Sequence, residues 1–398
     1  MTLLLYRLCY PVFWCGVALL SPLHRKARRG FYRRFGLAQR VTAAKLKNPI
    51  WCHVASSGEL EQALPILDRI KEKKSSPPIF ISYFSPSGEK AIQLETERRK
   101  AQGRKLCWDA HDYSPFDFSF GVKSFLKALR PKKLILIHRE LWPEMVHQTL
   151  RNRIDIYWVN VSLPAEKPFL VRKMQKQIAQ FRYTGTLDEV GDSRVDRILD
   201  RKALNKGGRK KTEKKTLIAA SIWREDWREI KGGIFRLLRG SNDWRVWIAP
   251  HELSSGLRET ILSDFRAAKL DVEITRGAMP TSDGNVYWEV VGKLAELYRT
   301  ADLVFVGNSF KSKVHNVLEP AAYGCPILTG PYYQNSREAV FFQRSGGLKS
   351  VDKNNFGDLL WEIAKSEKIR SHMSSALDGY FEKHRGAASR YATAILNE

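Results

Sequence analysis

Short apolar runs that alternate with helical segments are the feature that most constrains the fold of this chain. Strands are predicted at 50–54, 78–83, 134–137 and 156–161. The intervening segments with helical periodicity are 60–73, 87–99, 118–128 and 142–151. Parallel strands covered on both faces read as continuous Val, Ile and Leu runs, and helices make the crossovers between them. The pattern predicts a Rossmann-like α/β domain over residues 25–200.

A second domain is predicted after a break in composition at residues 201–215, which are strongly basic and nearly free of apolar side chains. We interpret this segment as a linker, although such a charge run can also be a surface loop. Further strands are predicted at 217–220, 244–248, 270–274, 285–288, 303–306 and 327–328. We therefore expect an α/β fold with two Rossmann-like domains facing a central cleft, the second over 216–375. Residues 376–398 are expected to form a helix that could return to the first domain.

The charge of the chain points to an anionic partner. Its 398 residues contain 67 Lys and Arg against 42 Asp and Glu, which gives a net charge of +25. Such a field favours nucleic acid, an anionic membrane surface or a phosphorylated substrate. We find no nucleic-acid-binding motif in the sequence. The five cysteines contain no Cys-x-x-Cys pair and no histidine cluster has metal-ligand spacing, so neither a zinc site nor a disulfide framework is predicted.

The N-terminus favours a membrane as the anionic partner. Residues 3–23 are almost entirely apolar and aromatic, and six Lys and Arg residues follow between Arg25 and Arg34. A secretory signal has the reverse order, with the basic cluster first. Residues 1–24 are therefore predicted to be an anchor that either crosses the bilayer or lies in its interface, a buried helix being the alternative. We expect attachment on the cytoplasmic side, where anionic lipids attract the basic flank.

Two acidic residues mark candidate sites at strand ends. The apolar run 133–137 leads into Glu140, Trp142 and Pro143, and ligands of parallel α/β sheets gather at the carboxyl ends of strands. The strand 50–54 leads through a Gly-containing turn to Glu59, near a helix N-terminus. Both segments have structural alternatives, because Trp142 could simply pack at a strand-helix junction and Glu59 could cap its helix. The functional hypothesis for Glu59 is a general base at the mouth of the sheet.

A third candidate site lies in the second domain, where the strand 303–306 runs into Gly307 and a short basic loop. Asn316 begins a predicted helix whose free N–H groups could hold phosphate oxygens. Glu319, one turn further, could accept hydrogen bonds from a ribose. The structural alternative for Asn316 is a helix N-cap.

Taken together, these segments resemble one family of enzymes. Eight segments occur in the family's order: the apolar N-terminus with its basic flank, HVASSGE (53–59), FSPSG (84–88), PFD (115–117), RELWP (139–143), GDSRVD (191–196), AP (249–250), and HNVLEP (315–320) with GP (330–331) and Asn335. This order is similar to that of the Kdo (3-deoxy-D-manno-octulosonic acid) transferases of lipopolysaccharide assembly, which have the GT-B fold and an N-terminal membrane anchor. The resemblance covers nearly the whole chain.

The resemblance implies an inverting transfer of Kdo from CMP-Kdo to a lipid A precursor at the cytoplasmic face of the inner membrane. Glu59 would be the general base, and Glu140 and Arg194 would stabilise the transition state. CMP-Kdo would be the donor substrate, and no cofactor or metal would be required. The further substrate-binding residues implied in the first domain are Ser56, Ser57, Gly58, Ser85, Ser87, Gly88 and Trp142. The implied nucleotide pocket consists of Pro250, His251, Gly292, Lys293, Asn316, Val317, Leu318 and Glu319.

The chain departs from the family pattern at several positions. His251 stands where the family has an arginine, and Lys293 stands where it has an acid. In the segment around Glu140, His138 replaces an acid and Glu144 replaces an asparagine. The departures in the nucleotide pocket bear on the identity of the donor.

Two alternatives follow from these departures and from the charge. One is a GT-B transferase that acts on a lipid acceptor with a different nucleotide-sugar donor. The other is a non-catalytic, membrane-associated basic protein. The chain retains Glu59, Glu140, Arg194 and Glu319 together, which favours an enzyme.

Overall fold

The chain folds into two compact units. The computed structural model describes residues 3–20, 25–163, 167–204, 213–277, 279–289 and 294–397. The first domain comprises Met1–Arg197 with His384–Glu398, and the second domain comprises Ile198–Lys383. The boundary falls inside a helix that ends at Leu204, whereas the sequence analysis places a linker at 201–215. Residues 205–212 of that predicted linker lie outside the described residues.

The first domain is built on a parallel sheet. Three helices come first: α1 (Leu3–Leu20), α2 (Arg25–Tyr32) and α3 (Leu37–Ala43). The elements that follow are β1 (Ile50–Val54), α4 (Ser57–Lys71), β2 (Ile79–Tyr83), α5 (Pro86–Ala101), β3 (Ala110–Tyr113), α6 (Ser119–Leu129), β4 (Lys133–Ile137), α7 (Pro143–Arg151), β5 (Asp155–Val161), α8 (Phe169–Lys173), α9 (Gln175–Ile178), β6 (Tyr183–Thr186) and α10 (Ser193–Leu204). Within the described residues, six strands pair in the order β3-β2-β1-β4-β5-β6, all of them parallel.

The second domain repeats this architecture. Its elements are β7 (Lys215–Ile222), α11 (Arg224–Gly240), β8 (Trp244–Pro250), α12 (Ser255–Ala267), β9 (Glu273–Arg276), β10 (Val286–Glu289), α13 (Leu294–Leu297), a 3-10 turn (Tyr298–Thr300), β11 (Leu303–Val306), α14 (Leu318–Ala322), β12 (Ile327–Thr329), α15 (Arg337–Ser345), β13 (Leu348–Ser350), α16 (Phe356–Lys365), α17 (Glu367–Ser375) and α18 (Asp378–His384). In the part of the chain that the structure describes, seven parallel strands pair in the order β13-β12-β11-β7-β8-β10-β9. The last helix, α19 (Ala387–Leu396), packs in the first domain, where the Tyr391 hydroxyl donates to the Gly191 carbonyl at 3.0 Å.

The two parallel sheets confirm the predicted fold class. The central strands β1 and β2 are buried at every position, as their continuous apolar runs indicate. The strands that the sequence analysis misses, β3, β6 and β13, all lie at sheet edges. The edge strand β9 lies two to three residues further along the chain than predicted. Edge strands have a less covered surface, so they carry few apolar residues and give a weak sequence signal.

Helix α1 packs on the first domain with one face. Tyr10 and Trp14 are buried, and the Tyr6 hydroxyl donates to Asp117 Oδ2 at 2.7 Å. The opposite face leaves apolar side chains exposed, namely Leu4, Leu5, Leu8, Val12 and Leu19. None of the described helices combines the length and the apolar character that crossing a membrane requires. The predicted anchor thus contributes aromatic side chains to the body of the domain; its residues 1–2 and 21–24 lie outside the described ranges.

A buried ion pair also holds α1. Arg7 Nε donates to Glu144 Oε2 at 2.8 Å, and Glu144 has no exposed surface on its side chain. Burial alone would raise the pKa of Glu144, but hydrogen bonds from Arg7 and Gln148 lower it below the ordinary value. The glutamate that departs from the family's asparagine therefore has its charge partner on α1.

A buried charge network fixes α10 against α4 and α5. Glu95 accepts hydrogen bonds from Arg197 Nη2 at 2.6 Å and from Arg99 Nε at 2.7 Å. Arg99 also donates to Asp68 at 2.7 Å, and Arg197 reaches Glu61 at 3.3 Å. Burial alone would raise the pKa of Glu95, but the neighbouring arginines lower it to about 2. The network holds the first turns of α10, which carry Arg194.

We expect Glu95→Gln to destabilise the first domain by about 3 kcal/mol, because it removes one charge from a buried ion-pair network. Urea unfolding of the full chain measures this effect. The matched control is Glu72→Gln, since Glu72 pairs with Arg69 on the surface and its side chain is 59% exposed; that change should cost less than about 1 kcal/mol. Equal effects of the two substitutions would contradict the importance of the buried network.

Candidate active site

The register of the first sheet gathers the predicted residues at one edge. β1 pairs with β2 on one side and with β4 on the other, all parallel, so their carboxyl ends are neighbours. The segments that leave these three ends are 55–59, 84–88 and 138–142. Residues that are 80 positions apart in the sequence therefore meet at a single edge.

Glu59 lies in the first turn of α4 and is half-buried. The N-cap residue is Ser56, and its hydroxyl donates to the Glu59 carboxylate. Ser57 and Gly58 form the exposed start of the helix. An acid in this position interacts favourably with the positive end of the helix dipole. The carboxylate is thus held in place while one side of it remains accessible.

The start of α5 is held against the start of α4. Ser85 Oγ donates to the Ala55 carbonyl at 3.0 Å and lies 2.7 Å from Ser87 Oγ. Gly88 is buried, and a Cβ atom there would lie 2.8 Å from Tyr83 Cβ. Only glycine allows this approach of α5 to the sheet. The N-termini of two helices thereby face the same edge, an arrangement that favours negatively charged groups.

Glu140 follows the end of β4 and lies in a largely apolar environment. Trp142 Nε1 donates to its carboxylate at 2.9 Å, and the Trp142 ring stacks on Phe84 at 4.7 Å between centroids. Burial raises the pKa of Glu140 to about 7, the Trp142 hydrogen bond opposes this shift, and the negative charge of Glu59 adds to it. The two carboxylates therefore interact electrostatically across the ends of adjacent strands.

The turn between β4 and Glu140 has a strained backbone. His138 has a φ angle of 59°, which is uncommon for a residue other than glycine. Its N–H donates to the Val159 carbonyl at 2.9 Å, and its own carbonyl accepts from Trp158 Nε1 at 2.8 Å. These two bonds to β5 impose the conformation. Burial lowers the pKa of the His138 imidazole, which favours its neutral form at the position where the family has an acid.

Arg194 lies at the start of α10 and is oriented by Asp192. Its Nε and Nη2 atoms lie 3.0 Å and 2.7 Å from Asp192 Oδ2, and its side chain is 29% exposed. Asp192 is fully buried; burial alone would raise its pKa, but the charge and hydrogen bonds of Arg194 lower it below the ordinary value. The charges of both Arg194 and Glu59 act on the pKa of His138. The three predicted catalytic residues thus belong to one electrostatic neighbourhood.

In the second domain, the predicted nucleotide residues gather around a stack of rings. Pro250 ends β8, and the next residue, His251, stacks on Trp223 at 4.9 Å and on His315 at 4.2 Å between ring centroids. Lys311 Nζ lies 3.9 Å from the Trp223 ring centroid. Burial, with smaller contributions from His251 and Lys313, lowers the pKa of His315 to about 4. Lys311 is therefore a cation beside the position where the family's arginine is replaced by His251.

Most side chains of the segment 316–319 make contacts within the protein, whereas the nucleotide hypothesis requires groups that a ligand can reach. Asn316 Oδ1 accepts the Leu318 N–H at 3.0 Å, but the N-cap residue of α14 is Val317, and this helix has only five residues. The side chains of Val317 and Leu318 are buried, so they serve as packing residues. Glu319 is half-buried with Arg201 Nη1 at 3.7 Å. Gly292 and Lys293 lie outside the described residues.

Asp226 is an organising residue that the sequence analysis misses. It accepts three backbone hydrogen bonds, from Trp223 at 3.0 Å, Asn308 at 2.7 Å and Phe310 at 3.1 Å. Burial raises its pKa, although those three bonds oppose the shift. Asp226 thereby joins the start of α11 to the turn after β11. Its position three residues after the N-cap Trp223 is the signal that could have identified it.

The described ranges contain no group of three or more His, Cys, Asp and Glu residues that could hold a metal ion.

Comparisons with known proteins agree with this architecture. The profile of the 3-deoxy-D-manno-octulosonic-acid transferase family (kdotransferase) matches residues 27–187. The 3-deoxy-D-manno-octulosonic acid transferase of Haemophilus influenzae is 24% identical, over 96% of this chain and 94% of its own length. Relatives of the same name from other bacteria match as well.

Solved structures with a similar fold cover most of the chain. The UDP-GlcNAc 2-epimerase of Neisseria meningitidis matches with a TM-score of 0.61 and 11% identity, over 88% of this chain and 100% of its own. A glycosyltransferase from Streptomyces nogalater matches with a TM-score of 0.51 and 11% identity, over 87% and 99%. The two parallel-sheet domains and these neighbours define the GT-B fold. Within that fold, residues 27–187 match the Kdo transferase family, and nearly the whole chain is similar to Kdo transferases of several bacteria.

We expect Glu140→Gln to change how stability depends on pH. Because the pKa of Glu140 in the folded protein is about 7, above its value in an unfolded chain, its contribution is favourable at low pH and is lost as the pH rises towards 7. The variant should therefore gain stability relative to the native protein between about pH 4.5 and 7, with no further gain above that range. Urea unfolding at pH 5 and pH 8 measures the difference. The same stability difference at both pH values would contradict the raised pKa.

Proposed function

We propose that this protein transfers Kdo from CMP-Kdo to a hydroxyl of a lipid A precursor, with inversion at the anomeric carbon, in the assembly of the lipopolysaccharide core. The observation that carries the proposal is that Glu59 and Glu140 follow adjacent parallel strands and interact electrostatically, in a chain whose residues 27–187 match the Kdo transferase family. A GT-B fold supports many reactions, so the chemistry is argued from the site.

Glu59 is the general base in this mechanism. The acceptor hydroxyl gives its proton to the Glu59 carboxylate as its oxygen bonds to the anomeric carbon, while the bond from that carbon to the phosphate of CMP breaks. A carboxylate is suited to this step because it needs only a positioned hydroxyl within hydrogen-bond reach. Its half-buried position in the first turn of α4, next to Ser56, supports the assignment.

Glu140 contacts the sugar in this mechanism. Kdo carries a carboxylate, which a second ionised carboxylate would repel. With a pKa of about 7, Glu140 is partly protonated at neutral pH and can donate a hydrogen bond to an anionic oxygen. Trp142 fixes its orientation through the indole N–H.

Arg194 stabilises the charge that develops on the departing phosphate. The Asp192 carboxylate holds the guanidinium before the substrate binds, and the Arg194 side chain is partly exposed. Such preorganised charge reduces the reorganisation needed in the transition state.

The second domain binds the nucleotide around His251. The stack of His251 with Trp223 and His315 offers flat surfaces, and Lys311 supplies a positive charge beside it. The backbone around Asn316 completes the pocket. The replacement of the family's arginine by His251 is a specific reason to keep a different nucleotide-sugar donor as a second candidate.

The membrane supplies the acceptor. Helix α1 exposes apolar side chains such as Leu4, Leu8 and Val12, and α2, the next helix in the chain, exposes Arg28 and Arg29. Apolar and cationic side chains on consecutive helices suit the interface of an anionic bilayer. We place the protein at the cytoplasmic face of the inner membrane.

The test is mass spectrometry of the lipid formed from a phosphorylated lipid A precursor and CMP-Kdo. We expect product with the added mass of Kdo and release of CMP. A parallel reaction with another nucleotide sugar tests the second candidate, and product from that donor alone would replace CMP-Kdo in the proposal. No product from either donor would contradict the assignment as a transferase.

We expect Glu59→Gln to lower turnover by about 100-fold or more with little change in melting temperature. Glutamine keeps the shape of the side chain and its capping capacity, but it cannot accept a proton at neutral pH. The matched control is Glu72→Gln at the opposite end of α4, which should retain normal turnover. Near-normal transfer by a well-folded Glu59→Gln protein would remove Glu59 from the mechanism and favour the capping alternative.

A further inference from the structure

A cavity of about 590 Å³ lies in the first domain between α1 and the segment that follows β4. Its walls include Tyr6 and Tyr10 of α1, together with Phe84 and Trp142. Glu140 lies at its border. The cavity therefore adjoins a proposed catalytic residue on one side and the N-terminal helix on the other.

The aromatic side chains present apolar surface to this cavity, because their hydroxyl and indole N–H groups form hydrogen bonds with other residues. The Tyr6 hydroxyl donates to Asp117 Oδ2 at 2.7 Å, and the Tyr10 hydroxyl accepts the Asp117 N–H at 3.2 Å. The Trp142 indole N–H is taken by Glu140. What remains for an occupant is largely apolar surface, and the side chains of Arg139 and Glu140 also line the cavity. An acyl chain matches the apolar surface better than a sugar, whose hydroxyl groups would lose most of their hydrogen bonds to water there.

The cavity continues along α1. A second cavity of about 280 Å³ shares Tyr6, Pro143 and Leu170 with the first, and extends to Leu3 and Met174. Helix α1, which contributes Leu3 and Tyr6 to the second cavity, also carries the exposed leucines. The two cavities are therefore adjacent, and the lining side chains that they share are largely apolar. Arg139 and Glu140 line the first cavity, and Lys173 and Gln177 line the second.

We propose that these two adjacent cavities, named here together the α1 cavity, hold one acyl chain of the lipid acceptor. The inference rests on the lipid acceptor of the proposed function and adds a binding site to it. The acyl chain lies against Tyr6, Tyr10 and Leu170, which directs the sugar headgroup of the acceptor towards Glu140 and Glu59. Helix α1 is thus part of the acceptor site in addition to its contact with the membrane.

Equilibrium binding of lipid A precursors that differ only in acyl-chain length tests the α1 cavity without requiring turnover. Each methylene added should lower the Kd by about fourfold until the chain fills the cavity, because burial of a methylene contributes about 0.8 kcal/mol. Calorimetry measures the Kd in detergent-free solution with the native full chain. A Kd that does not depend on chain length would overturn the proposal.

Leu170→Trp fills the passage between the two cavities and provides the second arm. It should raise the Kd of the long-chain precursor about tenfold or more, because about two fewer methylenes of the acyl chain can be buried. The Kd should also depend less on chain length than it does in the native protein. The matched control is Phe169→Trp, whose side chain is 55% exposed and does not line the cavity; it should keep the native dependence. Equal effects of the two substitutions would overturn the proposal.

Two further readouts separate this proposal from others. Vesicles that contain phosphatidylglycerol but no acceptor test whether the cavity holds a lipid of the bilayer instead of the acceptor. We expect the Leu170→Trp protein to bind these vesicles as the native protein does. Loss of vesicle binding in parallel with acceptor binding would assign the cavity to bilayer lipids and overturn the proposal. Chain-length-dependent binding in a protein that transfers no Kdo would support the cavity while contradicting the proposed function.

Discussion

The parallel pairing of β1 with both β2 and β4 is the constraint on which the candidate site depends. A parallel sheet places the carboxyl ends of neighbouring strands at one edge. The chain leaves β1 towards Glu59, β2 towards Ser85 and β4 towards Glu140. If β4 paired elsewhere, the two acids would lose their mutual electrostatic effect, and Glu140 would keep only the contribution of burial to its raised pKa.

Burial sets the electrostatics of this edge, and local partners decide the direction of each shift. Glu140 is buried with one indole donor and a like charge nearby, so its pKa rises to about 7. Asp192 is more deeply buried, yet the guanidinium of Arg194 lowers its pKa. Asp226 has backbone donors without a cation, and its pKa rises. A buried acid thus remains ionised where a cation faces it and gains a proton more easily where none does.

Helix α1 combines two roles that composition alone would assign to different segments. Tyr10 and Trp14 are buried on the face towards the domain, and two polar groups of α1 pair with buried acids, Tyr6 with Asp117 and Arg7 with Glu144. The leucines on the other face remain exposed. The pairing explains why Glu144 is tolerated in a buried position, since a buried charge without a partner would be strongly destabilising.

The sequence by itself determined the alternation of strands and helices, the two α/β domains, and the positions of Glu59 and Glu140 at strand ends. These features are encoded locally, because buried strands need continuous apolar runs and helices need their own periodicity. The polar edge strands β3 and β6 lack that signal and were not predicted. Only the tertiary structure decided that β4 lies beside β1, that Asp192 orients Arg194, and that α1 packs into the first domain. Each of these depends on contacts between distant parts of the chain, which no local pattern specifies.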